Sequence, residues 1–285
     1  MSSSRPAAAS LTLPGEFPRG VDVLACDLDR TLIAEDGVLR PRTCAALAAA
    51  RSAGIHVVVA TGRMFRSVRP YLEQAGLDGP VVCYQGAVVA DPTSGRFLRH
   101  EPIPVELARE TLEAVRDAGY HLNCYVGDEL YVAEITPEAR AYADFQSIPL
   151  NPVGDLAAWL SEPPTKLVAV GDPAALDAFE VRVKERFGGR LFIAKSLPFL
   201  LEFASPDVTK GSGLAFVAEH LGFAAEATVA FGDGENDLEL LGWAGFGVAV
   251  ANADKRLLGL ADFVCPPVEE EGVAQMIEAV LDSRP

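Results

Sequence analysis

The chain has 285 residues, 49% of them hydrophobic and 22% charged, an ordinary balance for a globular protein of one large or two ordinary domains. Its formal net charge of −16 argues against nucleic acid or an anionic membrane as a partner, because both select basic surfaces. No apolar run approaches the roughly 20 residues of a membrane-spanning helix.

Residues 1–20 are rich in Ser, Ala and Pro and lack the basic start and apolar stretch of a signal peptide, so they read as a mobile tail. Val23 to Cys26 is a short apolar run that stops at two carboxylates one residue apart, Asp27 and Asp29. Such a run reads as a buried parallel strand, and in open α/β sheets ligands sit outside the carboxyl ends of strands. Two like charges this close are costly to bury without a cation, and an oxygen-only ligand set suits Mg²⁺ better than Zn²⁺. A strand ending in a solvated turn fits the same residues. Cys26 is expected inside the strand, facing away from Asp27, and not as a nucleophile.

Glu35-Asp36-Gly37 is a turn, and Arg42 to Ser52 an Ala-rich helix that stops at Gly54. Ile55 to Ala60 reads as the second buried strand, followed by Thr61-Gly62-Arg63. A hydroxyl followed by glycine at a strand end suits a phosphate, since the hydroxyl donates and glycine admits a close backbone N–H; Thr as a helix cap fits equally. Met64 to Ala75 reads as a helix containing Pro70, and Val81 to Tyr84 as a third strand before Gln85-Gly86.

Residues 88–197 read as a separate unit. It holds hairpins over Val88–Ala90/Phe97–His100 and Leu122–Val126/Leu130–Ala133, and helices over Pro104–Ala118 and Pro173–Phe187. Strands are expected at Lys166–Val170 and Leu191–Ala194, with 151–164 a proline-rich loop. This order predicts an α+β module, an antiparallel sheet with helices on one side.

The chain is then expected to return to the first unit at the apolar Leu200–Phe203. Asp207-Val208-Thr209-Lys210-Gly211 opens a helix to about Leu221. A lysine there opposes the helix dipole, which is more tolerable where an anion sits; a surface lysine fits too. Thr228 to Phe231 is a strand running into Gly232-Asp233-Gly234-Glu235-Asn236-Asp237, a dense oxygen cluster. It lacks the third glycine of a dinucleotide fingerprint and the twelve-position spread of an EF-hand. Asp233 and Asp237 share a helical face if a helix starts here. Phe246–Val250 and Phe263–Val264 complete the sheet, and Glu269 to Glu271 begin the last helix as partners of its dipole. The five cysteines form no CxxC pair, which fits a reducing cytoplasm, and the four histidines have no metal-binding spacing.

Asp27-Leu28-Asp29-Arg30-Thr31-Leu32, Ala60-Thr61-Gly62-Arg63, Lys210-Gly211 and Gly232 to Asp237 follow one another in an order that resembles the motif series of the haloacid dehalogenase (HAD) superfamily. The long insert between the second and third resembles the Cof-type hydrolases of subclass IIB. The resemblance implies an α/β fold: a Rossmann-like (HAD-like) parallel-sheet core over 21–87 and 198–285, with an inserted α+β cap over 88–197. It implies a cytoplasmic, Mg²⁺-dependent phosphatase acting on a small-molecule phosphate ester, such as a sugar phosphate, through an aspartyl-phosphate. Asp27 would be the nucleophile and Asp29 the general acid and base. Thr61, Gly62, Lys210 and Asn236 would serve the substrate. Asp27, the carbonyl of Asp29, Asp233 and Asp237 would hold Mg²⁺. A phosphosugar mutase or a non-catalytic binding protein on the same fold would share these residues. Two departures stand out: Arg30 replaces the usual Gly and Gln85 the usual Asn. A cation at Arg30 would favour the ionised form of Asp29 unless it points to solvent.

Overall fold

The computed structural model describes residues 11–284, apart from the side chains of Phe145 and Ser196. The chain begins β1 (Val23–Cys26), α1 (Pro41–Ser52), β2 (His56–Val59), α2 (Phe65–Ala75), β3 (Val81–Cys83), β4 (Val88–Ala90) and β5 (Phe97–His100). There follow α3 (Val105–Asp117), β6 (His121–Val126), β7 (Glu129–Val132), α4 (Pro137–Gln146), β8 (Leu150–Pro152), α5 (Leu156–Trp159), β9 (Lys166–Val170), α6 (Pro173–Phe187), β10 (Phe192–Leu197) and β11 (Leu200–Ala204). Then come α7 (Lys210–Leu221), β12 (Thr228–Gly232), α8 (Leu238–Trp243), β13 (Phe246–Val250), α9 (Lys255–Leu260), β14 (Phe263–Cys265) and α10 (Gly272–Asp282). The chain divides into two compact units: residues to 59, 74–77 and from 221 form the first, and 60–73 with 78–220 the second. Among the described residues, no helix is long and apolar enough to cross a membrane.

The first unit is built on a parallel sheet ordered β14-β13-β12-β1-β2. Every residue of β1, β12 and β13 is buried, which is why each reads as an unbroken apolar run: a strand covered on both faces has no polar side to alternate with. The order sends the chain from β1 outward to β2 and later from β12 outward the other way. The reversal falls between β1 and β12, the topological switch point at which open α/β sheets bind ligands. Part of the expected tail is packed here, since the Phe17 ring meets Phe246 edge-on at 5.0 Å between centroids. Residues 1–10 of that tail lie outside the described residues. Glu271 does more than face a helix dipole: its carboxylate accepts from the backbone N and Oγ1 of Thr43 at 3.1 and 3.0 Å, tying α10 to α1.

The second unit holds two sheets, β3-β4-β5 and the largely antiparallel β10-β11-β9-β6-β7-β8. The Val88–His100 hairpin pairs with β3, so a boundary at 88 would cut a sheet. Leu200–Phe203 does not return to the parallel sheet: it is β11, paired with β9 and β10. Apolar strands buried on both faces look alike, whichever sheet receives them. Residues 151–164 are not all loop, since β8 pairs with β7 and α5 follows, capped by Asp155. Helix α4 was not foreseen, although Thr136-Pro137-Glu138 carries its start signal; Thr136 Oγ1 accepts from Ala139 N at 3.1 Å.

One face of the six-stranded sheet buries Leu122, Cys124, Leu167, Ala169, Leu201 and Phe203 against helices α3 and α6. The alternate residues Tyr125, Lys166 and Glu202 face the other way and are also buried. Lys166 Nζ donates to both carboxylate oxygens of Glu202, at 3.2 and 3.3 Å, and sits 5.3 Å from the centre of the Tyr125 ring. Removing one partner of a buried pair strands the other charge in a low-dielectric interior. Lys166→Met is therefore expected to lower unfolding free energy by about 3–5 kcal/mol in urea denaturation, with much of the loss recovered when Glu202→Leu is added.

Candidate active site

The first unit supplies an acidic centre. β1 and β12 lie side by side in register, Cys26 opposite Phe231, so Asp27 and Asp233 leave neighbouring strand ends. Asp27 N donates to Phe231 O at 2.9 Å, which holds the strand pairing to its last residue. Asp27, Asp233 and Asp237 are all buried, and each offers a carboxylate oxygen within 4.8 Å of the other two. Asp237 does not reach this point along a helical face: α8 starts only at Leu238. Instead the chain turns back after Gly234, and Asp237 Oδ2 accepts from the backbone N of Asp233 and of Gly234, both at 3.0 Å. Gly232 makes this possible. A Cβ there would stand 2.5 Å from Asp237 Cβ and 2.7 Å from its Oδ2. Three carboxylates this close and this buried form an oxygen-only donor set suited to a hard divalent cation.

Asp29 is half-buried, with its backbone bridged to Ile33, and its carboxylate is not one of the three. Asn236 is exposed, in the single 3₁₀ turn Glu235–Asp237. Arg30 has φ 60°, the left-handed region that glycine adopts most readily. Its guanidinium does not turn to Asp29: Nη1 is 3.3 Å from Asp233 Oδ2, and Nη2 donates to Asn252 O at 3.1 Å. Cys26 is fully buried, and burial, reinforced by the neighbouring charge of Asp27, pushes its thiol far above its ordinary range, so it is no nucleophile.

The second unit gathers Thr61, Gly62 and Lys210 around one turn. The Thr61-Gly62-Arg63 turn is knitted to the end of β3: Thr61 N donates to Val82 O, Gln85 N to Thr61 O and Tyr84 N to Arg63 O, at 2.9 to 3.1 Å. Arg63 N donates to Thr61 Oγ1 at 3.1 Å, leaving that hydroxyl oriented as a donor. Gly62 fits beneath the Gln85 side chain, whose Nε2 would lie 2.5 Å from any Cβ. Tyr84, Gln85 and Gly86 have φ of 51°, 60° and 107° in succession, strain of the kind that collects at functional turns. At Gly86 a Cβ would come within 2.0 Å of Thr209 O, so the start of α7 packs directly on this turn. Lys210, the first residue of α7, is only 1% exposed. Thr61, Gly62 and Lys210 thus border one strained turn.

Three residues beside that turn carried no signal in the sequence. Lys166 Nζ donates to Gly62 O at 3.2 Å from β9, more than a hundred positions away. Tyr84 OH donates to Asp128 Oδ1 at 2.9 Å, and Asp128 Oδ2 accepts from Arg66 N at 2.7 Å. Burial raises the Asp128 carboxyl above its ordinary range despite those bonds. A separate cavity of about 1100 Å³ in the second unit, walled in part by Tyr120, His121, Tyr142 and Phe199, contains none of the predicted site residues.

A parallel sheet with acids at its switch point, interrupted in the sequence by an α+β module, is the architecture of the HAD-like fold. The sequence pattern of the haloacid dehalogenase-like hydrolases matches residues 24–277, and the chain belongs to that family. The pyridoxal phosphate phosphatase of Escherichia coli is 30% identical over 90% of this chain and 97% of its own length. The 5-amino-6-(5-phospho-D-ribitylamino)uracil phosphatase of Bacillus subtilis is 26% identical over 90% and 96%. Among solved structures, a haloacid dehalogenase-like hydrolase from Bacteroides thetaiotaomicron superposes with a TM-score of 0.85 at 26% identity, covering 91% of this chain and 99% of that one.

Proposed function

We propose that the chain is a Mg²⁺-dependent phosphatase that hydrolyses a small phosphorylated metabolite, a sugar phosphate or similar phosphomonoester, through an aspartyl-phosphate. The observation that carries this reading is the trio Asp27, Asp233 and Asp237, buried together at the ends of β1 and β12. In a folded chain such a trio calls for a cation, and its all-oxygen donors match Mg²⁺.

A carboxylate oxygen of Asp27 attacks phosphorus as the ester P–O bond breaks. Asp29 gives its proton to the departing alkoxide oxygen, then takes one from the water that attacks the phosphorylated Asp27, releasing phosphate and restoring the carboxylate. The Thr61 hydroxyl, the Gly62 amide and the Lys210 ammonium hold the phosphoryl oxygens while charge redistributes among them. Asn236 steadies the turn that carries Asp233 and Asp237. Asp27, Asp233, Asp237 and the Asp29 carbonyl would hold Mg²⁺, which would supply charge neutralisation for the trio and the phosphoryl group. The inserted module, whose six-stranded sheet runs through β11 to Ala204, selects the substrate; the reach of Lys166 from β9 to Gly62 supports this.

The test is a phosphate-release screen of the full chain with and without Mg²⁺. The panel includes sugar phosphates and pyridoxal phosphate, the ester named in the Escherichia coli relative. Mg²⁺-dependent release from at least one small ester is expected. Release that ignores Mg²⁺, or isomerisation without release, overturns the reading.

Gly232 provides an independent check on the metal. Its Ala variant forces Asp237 off the two backbone amides that aim it. Loss of the hydrogen bonds that orient a ligand weakens metal binding by about 10–100-fold, which calorimetric Mg²⁺ titration of Gly232→Ala measures directly.

A further inference from the structure

We infer that Arg30 is a built-in competitor of the cation, a residue that sets the Mg²⁺ concentration at which the site fills. The inference rests on the proposed Mg²⁺ site and adds a role to a position outside its ligand set.

The guanidinium is aimed, not free. Arg30 Nη1 stands 3.3 Å from Asp233 Oδ2, while Nη2 donates to Asn252 O at 3.1 Å. Asn252 also grips the other end of the residue, its Nδ2 donating to Arg30 O at 2.8 Å. Its Oδ1 accepts from Val268 N at 2.9 Å, which anchors the clamp to the start of the last 3₁₀ turn. The backbone of Arg30 is held in the left-handed region, with its N donating to Ile33 O at 2.7 Å. A bulky residue in that conformation is strained, and the clamp on Asn252 is what holds it there. The Arg30 side chain is 52% exposed, but that of Asp233 is 8% exposed, so the pair is screened on one side only.

The consequence is electrostatic. Asp27, Asp233 and Asp237 bring three negative charges to one point, and Arg30 subtracts one from the sum a cation meets. It also occupies part of the same carboxylate, where its charge would oppose a divalent ion held by that group. Even at the dielectric constant of water, charges of +1 and +2 at about 5 Å repel enough to shift binding by roughly tenfold. The effect on a half-exposed arginine shrinks as salt screens it.

The experiment is calorimetric titration of the intact chain with Mg²⁺, alone and in the variants Arg30→Gln and Arg30→Lys, at low and at high KCl. Gln keeps the length and loses the charge; Lys keeps the charge. Arg30→Gln is expected to bind Mg²⁺ on the order of tenfold more tightly at low salt, with the gap closing at high salt, and Arg30→Lys to stay near the wild type. Equal or weaker binding in Arg30→Gln at low salt overturns the role of Arg30 while leaving the metal site standing. Absence of Mg²⁺ binding from the wild type and both variants overturns the site itself, and this role with it. Thermal melts of the three proteins in the absence of Mg²⁺ keep a folding defect from passing as a change in affinity.

Discussion

Asp27→Asn is expected to abolish phosphate release and leave the protein folded. The amide has the shape of the carboxylate but no lone pair basic enough to attack phosphorus, and loss of a nucleophile removes about 10⁴-fold or more of turnover in enzymes that depend on one. The fold has no reason to suffer. The Asp27 backbone stays bonded to Phe231 O, and its side chain, 3% exposed, changes no volume. A cooperative thermal melt, the mark of a folded protein, is therefore expected of the variant. Phosphate release and a thermal melt on the same preparation check both halves. Near-normal turnover, or no covalent phosphoenzyme in the wild type, would sink the nucleophile assignment.

The second large effect belongs to Asp29. Its carboxylate is not one of the buried three, and it stands half-buried on the turn that follows β1. Asp29→Asn is expected to slow hydrolysis of alkyl phosphates by about 10²–10⁴, the usual worth of a general acid and base. For nitrophenyl phosphate the first step should suffer far less, because that leaving group departs without a proton. Comparing the two esters in wild type and variant separates a proton-transfer role from a structural one: equal losses for both would make Asp29 a structural residue.

Much of the fold was legible because its signals are local. Lys166–Val170, Pro173–Phe187 and Phe246–Val250 match the observed elements residue for residue, being apolar runs or a proline-led helix with clear stops. Helix α4 has an equally local start signal in Thr136-Pro137-Glu138. The borders of the inserted module were not legible. β4 and β11 are short apolar strands, and nothing in such a strand names its neighbour. Partner choice is decided by burial shared across long sequence separations, here with β3 and with β9.

The candidate site divides the same way. Asp27, Asp29, Thr61, Asp233 and Asp237 stand out because they follow apolar strands directly or within a few residues, and Lys210 because a lysine at a helix start opposes the dipole; both signals are written in the order of residues. By itself the sequence determined which carboxylates leave β1 and β12, the glycines that let backbone turn beside them, and the family to which the chain belongs. Only the tertiary structure decided that Asp237 folds back on the amides of Asp233 and Gly234, that Arg30 pairs with Asp233 instead of Asp29, and that Lys166 reaches Gly62. Where a charged side chain ends depends on which hydrogen-bond partners the packed chain leaves within reach, and for Arg30 that partner is Asn252, 222 positions away.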